Sequence, residues 1–435
     1  MTILQSGIVW EDTPAKVILS DYFNLYPKIE VFIDQATKYG YSAEKGIFRT
    51  YTDIYDVSDC CTNIRMRSSL KDNCGTLTFK LLHDDCQRLF SNGDRVRLYL
   101  DGRCWFCGFI FSMQYAGKND MQVTVFDFLR YFKTPLMYMK TQLMTQDGTK
   151  GLTASETFKK LCTDLAIPYS VRTNSTTPVP AQNYDRKTGF NIMEFAITQT
   201  LLNSSEDNRK YFTFYHESNL DADEGVENYL DTQLFKTSGE VQFQLRNNLT
   251  VDVPITDELL IKYNYESSID KQSYNEVVLY KDQKTYLSAK GKTLKKGKKT
   301  GTRLVKSSNN GPDKDKWNLL KGKWGYLPYY HKCPDGYTEA QMQSVANQLQ
   351  NILGRETHSL QLSCYGIIGL RAGQLVGVSI KDIAGTSVGF EKTDDQGNKI
   401  LLPVYRTVEQ CEFIIQHPLK MNVTISSGAY GEYDL

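Results

Sequence analysis

The sequence is short of most residues that would announce chemistry. It has five histidines, His83, His216, His331, His358 and His417, and none lies in an HExxH pattern or beside a Gly-x-Ser-x-Gly turn. The local signatures of a metalloprotease and of an α/β-hydrolase are therefore missing. A triad built from distant residues, or the carboxylate pair of a glycosidase, leaves no local mark and stays open. No run of about 18 apolar residues occurs, which argues against a membrane-spanning helix. Neither sign of charge prevails: 51 Lys and Arg face 50 Asp and Glu. That balance predicts no global pull toward nucleic acid or an anionic membrane. The opening MTILQSGIVWEDTPAK has neither a basic start nor a long apolar stretch, so no secretion signal is expected there.

Cysteine is present, ten residues, but without regular spacing. Free thiols in a chain made in a reducing cytoplasm are the expectation. One pair, Cys104 and Cys107 in DGRCWFCGFIF, has the spacing of half a metal site. Asp101-Gly102 reads as a two-residue hairpin turn and the residues after it as the return strand. Side chains alternate faces along a strand. The two thiols are thus expected to point apart and to hold neither a metal nor each other, unless a bulge intervenes. No second CxxC or HxxxH supplies further ligands, and a buried free cysteine behaves as a small hydrophobe. The adjacent Cys60 and Cys61 read the same way.

What the chain does have is aromatic and β-branched sequence. With 28 Tyr and 20 Phe it favours strands, and its length suits two or three domains. The clearest strands are Leu77 to Leu82, Val96 to Leu100, Cys104 to Tyr115 and Met121 to Phe126, with turns at Gly93-Asp94 and Gly117 to Asp120. A different texture follows. Thr153-Ala-Ser-Glu156 is a capping box, and Phe158, Leu161, Cys162 and Leu165 follow at helical spacing before Pro168. A second helix is expected over Asn191 to Leu202, and strands over Tyr211 to Tyr215 and Val241 to Leu245. Strands return at Leu259 to Tyr265 and Glu276 to Lys281, then a basic stretch interrupts. Thr338, with Gln341 in the box position, opens a helix to Gly354. Its Met342, Val345, Ala346, Leu349, Ile352 and Leu353 make one apolar stripe, the mark of a core face.

The two strand-rich regions share an ordered pattern. Gly93-Asp-Arg-Val96, Cys107-Gly-Phe-Ile-Phe111 and Met121-Gln-Val-Thr-Val125 are echoed by Gly373-Gln-Leu-Val376, Cys411-Glu-Phe-Ile-Ile415 and Met421-Asn-Val-Thr-Ile425. Each match alone is weak. Three in the same order predict a duplicated β-domain, with an insertion near Ile383 to Arg406 in the second copy.

These residues carry a resemblance. Gly75-Thr-Leu-Thr-Phe-Lys80, Gly93-Asp94, Phe109-Ile110-Phe111, Val123-Thr-Val-Phe-Asp127 with Leu129-Arg-Tyr131, and the Ala154-Ser-Glu-Thr-Phe helix start follow one another as in the XkdQ-like hub proteins of phage and prophage tails. Met421 to Ile425 resembles that family's closing strand. The match runs from about Ile47 onward and rests on strand and turn patterns. It implies a mixed α+β, mainly β fold: two related antiparallel β-barrel-like tube domains with a small α+β module between them. The expected division is 1–46, an N-terminal lead; 47–135, the first tube-like domain; 136–250, the module; and 251–435, the second tube-like domain, with a basic loop at 284–306 and a helix at 338–354. The resemblance further implies a non-enzymatic baseplate hub, a homotrimer that adapts the hexameric tail tube to the central spike. Its partners would be the tail tube protein, the spike, other baseplate proteins and, as a further candidate, the tape-measure protein. Its place would be the tail baseplate of a virion or tail-like particle assembled in the host cytoplasm, with no membrane. A tail-tip protein that binds or cleaves cell-wall glycan, and a nucleic-acid-binding channel part, are the alternatives.

Two motifs touch on other chemistry. GKTLKKGKKT, Gly291 to Thr300, departs from a phosphate loop in spacing and puts Lys299 where Ser or Thr belongs. Asp221-Ala-Asp223-Glu224-Gly225 has its glycine one position early for a calcium loop. No catalytic, cofactor or metal residue is assigned. Lys290, Lys292, Lys295, Lys296, Lys298 and Lys299 are the candidate contact to an acidic partner, or else a solvated loop.

Overall fold

The computed structural model describes residues 25–42, 46–70, 74–82, 90–115, 120–203, 212–217, 240–245, 250–270, 273–285, 300–333, 337–383, 385–393 and 396–426. The fold is mainly β, with two related antiparallel units, as expected. In the first unit, β1 (Ile29–Ser42) and β2 (Gly46–Asp56) form a hairpin, followed by β3 (Cys61–Ser69), β4 (Thr76–Leu81), β5 (Arg95–Leu100), β6 (Arg103–Tyr115) and β7 (Met121–Phe126). Period-two patterning builds them. In β7, Met121, Val123 and Val125 are fully buried while Gln122 and Thr124 lie half-exposed on the other face.

An α+β layer follows: β8 (Pro135–Tyr138), α1 (Ala154–Asp164), β9 (Tyr169–Val171), β10 (Tyr184–Thr188), α2 (Gly189–Asn203), β11 (Phe212–Glu217) and β12 (Glu240–Leu245). Its aromatic core gathers Phe132, Phe158, Phe214 and Phe243. The chain then returns to the sheet with β13 (Thr250–Thr256) and β14 (Leu260–Ser268).

Between β14 and the next sheet strand lies a second α+β layer, β15 (Glu276–Thr285), β16 (Thr300–Ser307), α3 (Lys314–Trp324), β17 (Pro328–Lys332) and α4 (Glu339–Leu353). It has a core of its own, in which Val277 and Leu279 meet Met342, Val345 and Ala346. The chain finishes with β18 (Thr357–Tyr365), β19 (Leu375–Ile383), β20 (Thr386–Val388), β21 (Phe390–Thr393), β22 (Lys399–Leu402), β23 (Val404–Ile415) and β24 (Lys420–Ser426). β21 and β22 pair within the expected insertion.

One sheet of fourteen described strands joins both units. Its order is β14-β18-β24-β23-β3-β4-β7-β6-β5-β1-β2, with β13 and β20 attached through β19, which itself pairs β23. A single apolar cluster underlies it, from Val31, Leu77 and Val123 to Leu362, Phe413 and Val423.

The structure differs from the sequence expectation in several elements. The expected basic loop at 284–306 is in strand at both ends, Lys284 and Thr285 closing β15 and residues from Thr300 forming β16, and β1 and α3 differ as well. β1 lies in the stretch read as a lead; Val31 and Ile33 alternate on one buried face, and the other face is buried too, against β5, with Asp34 on it. That carboxylate is fully buried, paired with arginines, so a polar residue occupies an inward position. α3 was not foreseen because KDKWNLLKGKW buries only Trp317 and so shows no apolar stripe. The α4 capping box is present, but its terminal Gly354 has φ −81°. Glycine is needed there for close approach: a Cβ would come within 2.5 Å of the Trp317 ring.

Candidate functional site

The duplicated strands define the feature that carries function. In the first unit β4 pairs β7, β7 pairs β6 and β6 pairs β5; in the second, β18 pairs β24, β24 pairs β23 and β23 pairs β19, all antiparallel. The register also recurs. Leu77 faces Val125, which faces Ile110; Leu360 faces Ile425, which faces Val408. Arg95 faces Phe109 as Leu375 faces Thr407. Each long strand carries a bulge at the same point, between Ile110 and Ser112 and between Val408 and Gln410. Bulges re-aim a strand, so sharing one marks a common design. Gly93 and Gly373 both enter the left-handed region, at φ 99° and 90°. Each donates its N–H to the bulge residue, Gly93 to Ile110 O at 2.7 Å and Gly373 to Val408 O at 2.9 Å. Two of the three sequence matches, Gly93-Asp-Arg-Val96 with Gly373-Gln-Leu-Val376 and Met121–Val125 with Met421–Ile425, fall at equivalent positions of a structural repeat. The middle one does not, since the shared register makes Cys107 the counterpart of Tyr405 and Cys411 the counterpart of Met113.

The two copies meet edge to edge. β3 pairs β23 from Gln410 opposite Ser69 to Ile415 opposite Ile64. Leu70 N donates to Glu409 O at 2.8 Å, and Ser68 Oγ accepts from Ala372 N at 2.9 Å. Arg67 donates to Gln410 Oε1 at 3.0 Å, and Arg65 lies 3.7 Å from Glu412. The Trp105 and Phe413 rings pack at 4.4 Å across the same junction. β19 stops where β3 begins, so β23 is paired by β19 along its first half and by β3 along its second.

The cysteines need a correction. Leu98 faces Phe106 and Tyr99 faces Cys104, so Trp105 is an extra residue in β6. Cys107 faces Arg97, and Arg97 Nη1 donates to the Tyr99 hydroxyl at 2.9 Å. Cross-strand partners share a face, so this bulge turns Cys104 and Cys107 to the same side, not to opposite sides. That side holds a buried ion cluster. Asp34 Oδ2 accepts from Arg95 Nε at 2.6 Å and Arg97 Nε at 2.8 Å, and Oδ1 accepts from Arg97 Nη2 at 2.7 Å. Burial pushes the Cys104 thiol well above its usual range, with Cys107 adding to the effect, and it pushes Tyr99 up to about 12. The cluster ties β1 to β5 and is structural in its chemistry.

The candidate contact residues Lys290, Lys292, Lys295, Lys296, Lys298 and Lys299 lie outside the described residues, as does the acidic turn at Asp221. The flanking strands are described: Thr285 and Thr300 are register partners, so the lysine stretch is the connection of a hairpin. A cavity of about 380 Å³ lies between α2 and the β17–α4 segment. Tyr184, Phe195, Tyr329, His331 and Leu349 line it, and Glu194 is the carboxylate among its lining residues. Burial lowers the His331 pKa. A lone carboxylate does not make the two-carboxylate arrangement of a glycosidase. No group of three or more metal-ligating side chains occurs among the described residues.

This architecture is that of phage and prophage tail proteins. A 43 kDa tail protein of prophage MuSo2 from Shewanella oneidensis is similar over 93% of this chain and 100% of its own, with a TM-score of 0.51 at 12% identity. A tail protein from Neisseria meningitidis MC58 is similar over 93% of this chain and 98% of its own, with a TM-score of 0.50 at 11% identity. The model of the YQBQ-like family matches residues 64–392, more than half of the sequence, and the chain belongs to that family. No curated protein matches it.

Proposed function

We propose that this protein is a structural baseplate hub, non-enzymatic, of which three copies form a ring between a six-fold tail tube and a central spike. The observation that carries this reading is the repeat with shared strand order, register and bulge. Two equivalent β-units per chain turn a three-fold ring into six near-equivalent lobes, as a symmetry adapter requires. The continuous sheet through both units supports it, since neighbouring lobes are already fused edge to edge within a chain. On this reading the tube-like domains are residues 47–135, preceded by β1 as part of the same unit, and 251–435, which also carries the second α+β layer, and the module at 136–250 faces other baseplate proteins. The lysines from Lys290 to Lys299 would then meet an acidic neighbour, where several ion pairs together compensate the modest worth of each. A tagged chain localised by electron microscopy on purified particles should label the base of the tail tube. Label elsewhere in the particle would overturn the hub assignment, and glycan cleavage by the isolated chain would favour a tail-tip enzyme instead.

A further inference from the structure

The sheet that joins the two units also has two places at which the same junction is half made. Inside the chain, β23 offers the edge of Gln410 to Ile415, beyond the end of β19, and β3 fills it. The counterpart of β23 is β6. It too runs past the end of its neighbour: β5 pairs it only up to Phe109, with Gly93 closing on Ile110, while β7 covers its other edge to Tyr115. Among the described strands nothing pairs the β5-side edge of β6 over Phe111 to Gln114.

The counterpart of β3 is β14. Met66 faces Leu77 as Tyr265 faces Leu360, and each strand carries a one-residue bulge near its start. Ser68-Ser69 recur as Ser267-Ser268. β3 is paired on both edges, by β4 and β23, whereas among the described strands β14 pairs β18 alone and ends the sheet. It is a nine-residue edge strand with Ile261 46% exposed. A long, partly apolar edge strand is the kind of surface that invites pairing unless something covers it.

We propose that β14 covers the open half of β6 on a second copy of this chain. The inner junction supplies the register. Gln410 opposite Ser69 becomes Ser112 opposite Ser268; Glu412 opposite Arg67 becomes Gln114 opposite Glu266; Phe413 opposite Met66 becomes Tyr115 opposite Tyr265. Ser267 takes the place of Ser68, whose hydroxyl receives Ala372 N, and Asn92 takes the place of Ala372. The outer junction is then equivalent to the inner one, and the sheet passes from chain to chain until it closes. This rests on the ring reading and names the surface that makes the ring. Closure by one repeated heterologous contact gives a cyclic assembly in which every β14 edge is paired.

The test is a cysteine pair, Gln114→Cys with Glu266→Cys, in the full chain. Leu70 N bonding Glu409 O places Glu412 opposite Arg67 at a non-hydrogen-bonded position, where side chains approach most closely. Six strands lie between β6 and β14 within one chain, so a link between them must join two copies. The oxidised assembly is expected to run as covalent multimers under denaturing conditions, and either single variant as monomer. Ser267→Pro removes an edge-facing N–H of the kind Ser68 occupies at the inner junction. It is expected to melt as the parent does and to lose assembly. A parental assembly of correct mass with no cross-link, or one unaffected by Ser267→Pro, overturns the strand pairing and leaves the ring standing. A parental chain that stays monomeric in the purified particle's own buffer and at its local concentration overturns both.

Discussion

Asp34, Arg95 and Arg97 show what a buried charge does here. All three are 0 to 2% exposed, and the carboxylate holds both guanidiniums. Removing one member strands the other charges away from water. Asp34→Ala is expected to lower unfolding free energy by about 3–5 kcal/mol in denaturant melts; a loss under about 1 kcal/mol would show that the cluster relaxes freely. Asp127 is a second buried acid. Burial raises its pKa to about 7 against the pull of the Gly75 and Leu129 N–H groups, which bond its carboxylate at 2.7 and 3.0 Å. Its folded pKa lies above an unfolded value of about 3.9. Between those values the unfolded chain binds fewer protons, so this residue's contribution is whole below about pH 4 and fades as pH rises toward about 7. The stability difference between parent and Asp127→Asn should therefore shift against the parent over that window. A pH-independent difference would refute the assigned ionisation. The cysteines mark where residue-level reading ran out. Spacing alone gives alternation, while the extra Trp105 that cancels it is fixed by packing against Phe413 on a strand distant in sequence.

Local elements were legible where the signal was local. Thr153 and Glu156 bond each other's backbone N–H at 3.3 and 2.8 Å, and Thr338 and Gln341 do so at 3.2 and 2.9 Å, as their boxes predicted. Thr153→Ala and Thr338→Ala should each cost about 1 kcal/mol, read from denaturation midpoints. No change in either would mean that tertiary contacts hold those helix starts unaided. β1 and α3 were missed because their positions are set by partners, arginines for one and a single tryptophan for the other. The lysine connection is an element-scale question too. Removing Lys290 through Lys299 leaves Tyr286 to Ala289 to join Thr285 and Thr300, a loop length that hairpins accept. Monomer stability should move by no more than about 0.5 kcal/mol, while particle assembly weakens if the lysines meet an acidic neighbour. A large drop in monomer stability would place the stretch in the core.

At the scale of the molecule, the matches at Gly93 with Gly373 and at Met121 with Met421 carried the repeat, because register and bulge constrain the residues that face inward, while the Cys107 with Cys411 match fell out of register. Met121, Val123 and Val125 recur as Met421, Val423 and Ile425 for that reason. The edge that joins the two units was not legible. Strand pairing between Gln410 and Ser69 leaves no trace in either sequence segment, since backbone groups make it. The same holds for any contact between copies. The account stands on three chains supplying six near-equivalent β-lobes. Class averages of the assembled chain, viewed down the ring by electron cryomicroscopy, measure this directly. Three chains with six lobes of alternating β-unit identity are predicted. A ring of six chains, or one in which only one β-unit per chain lies in the ring, would contradict it.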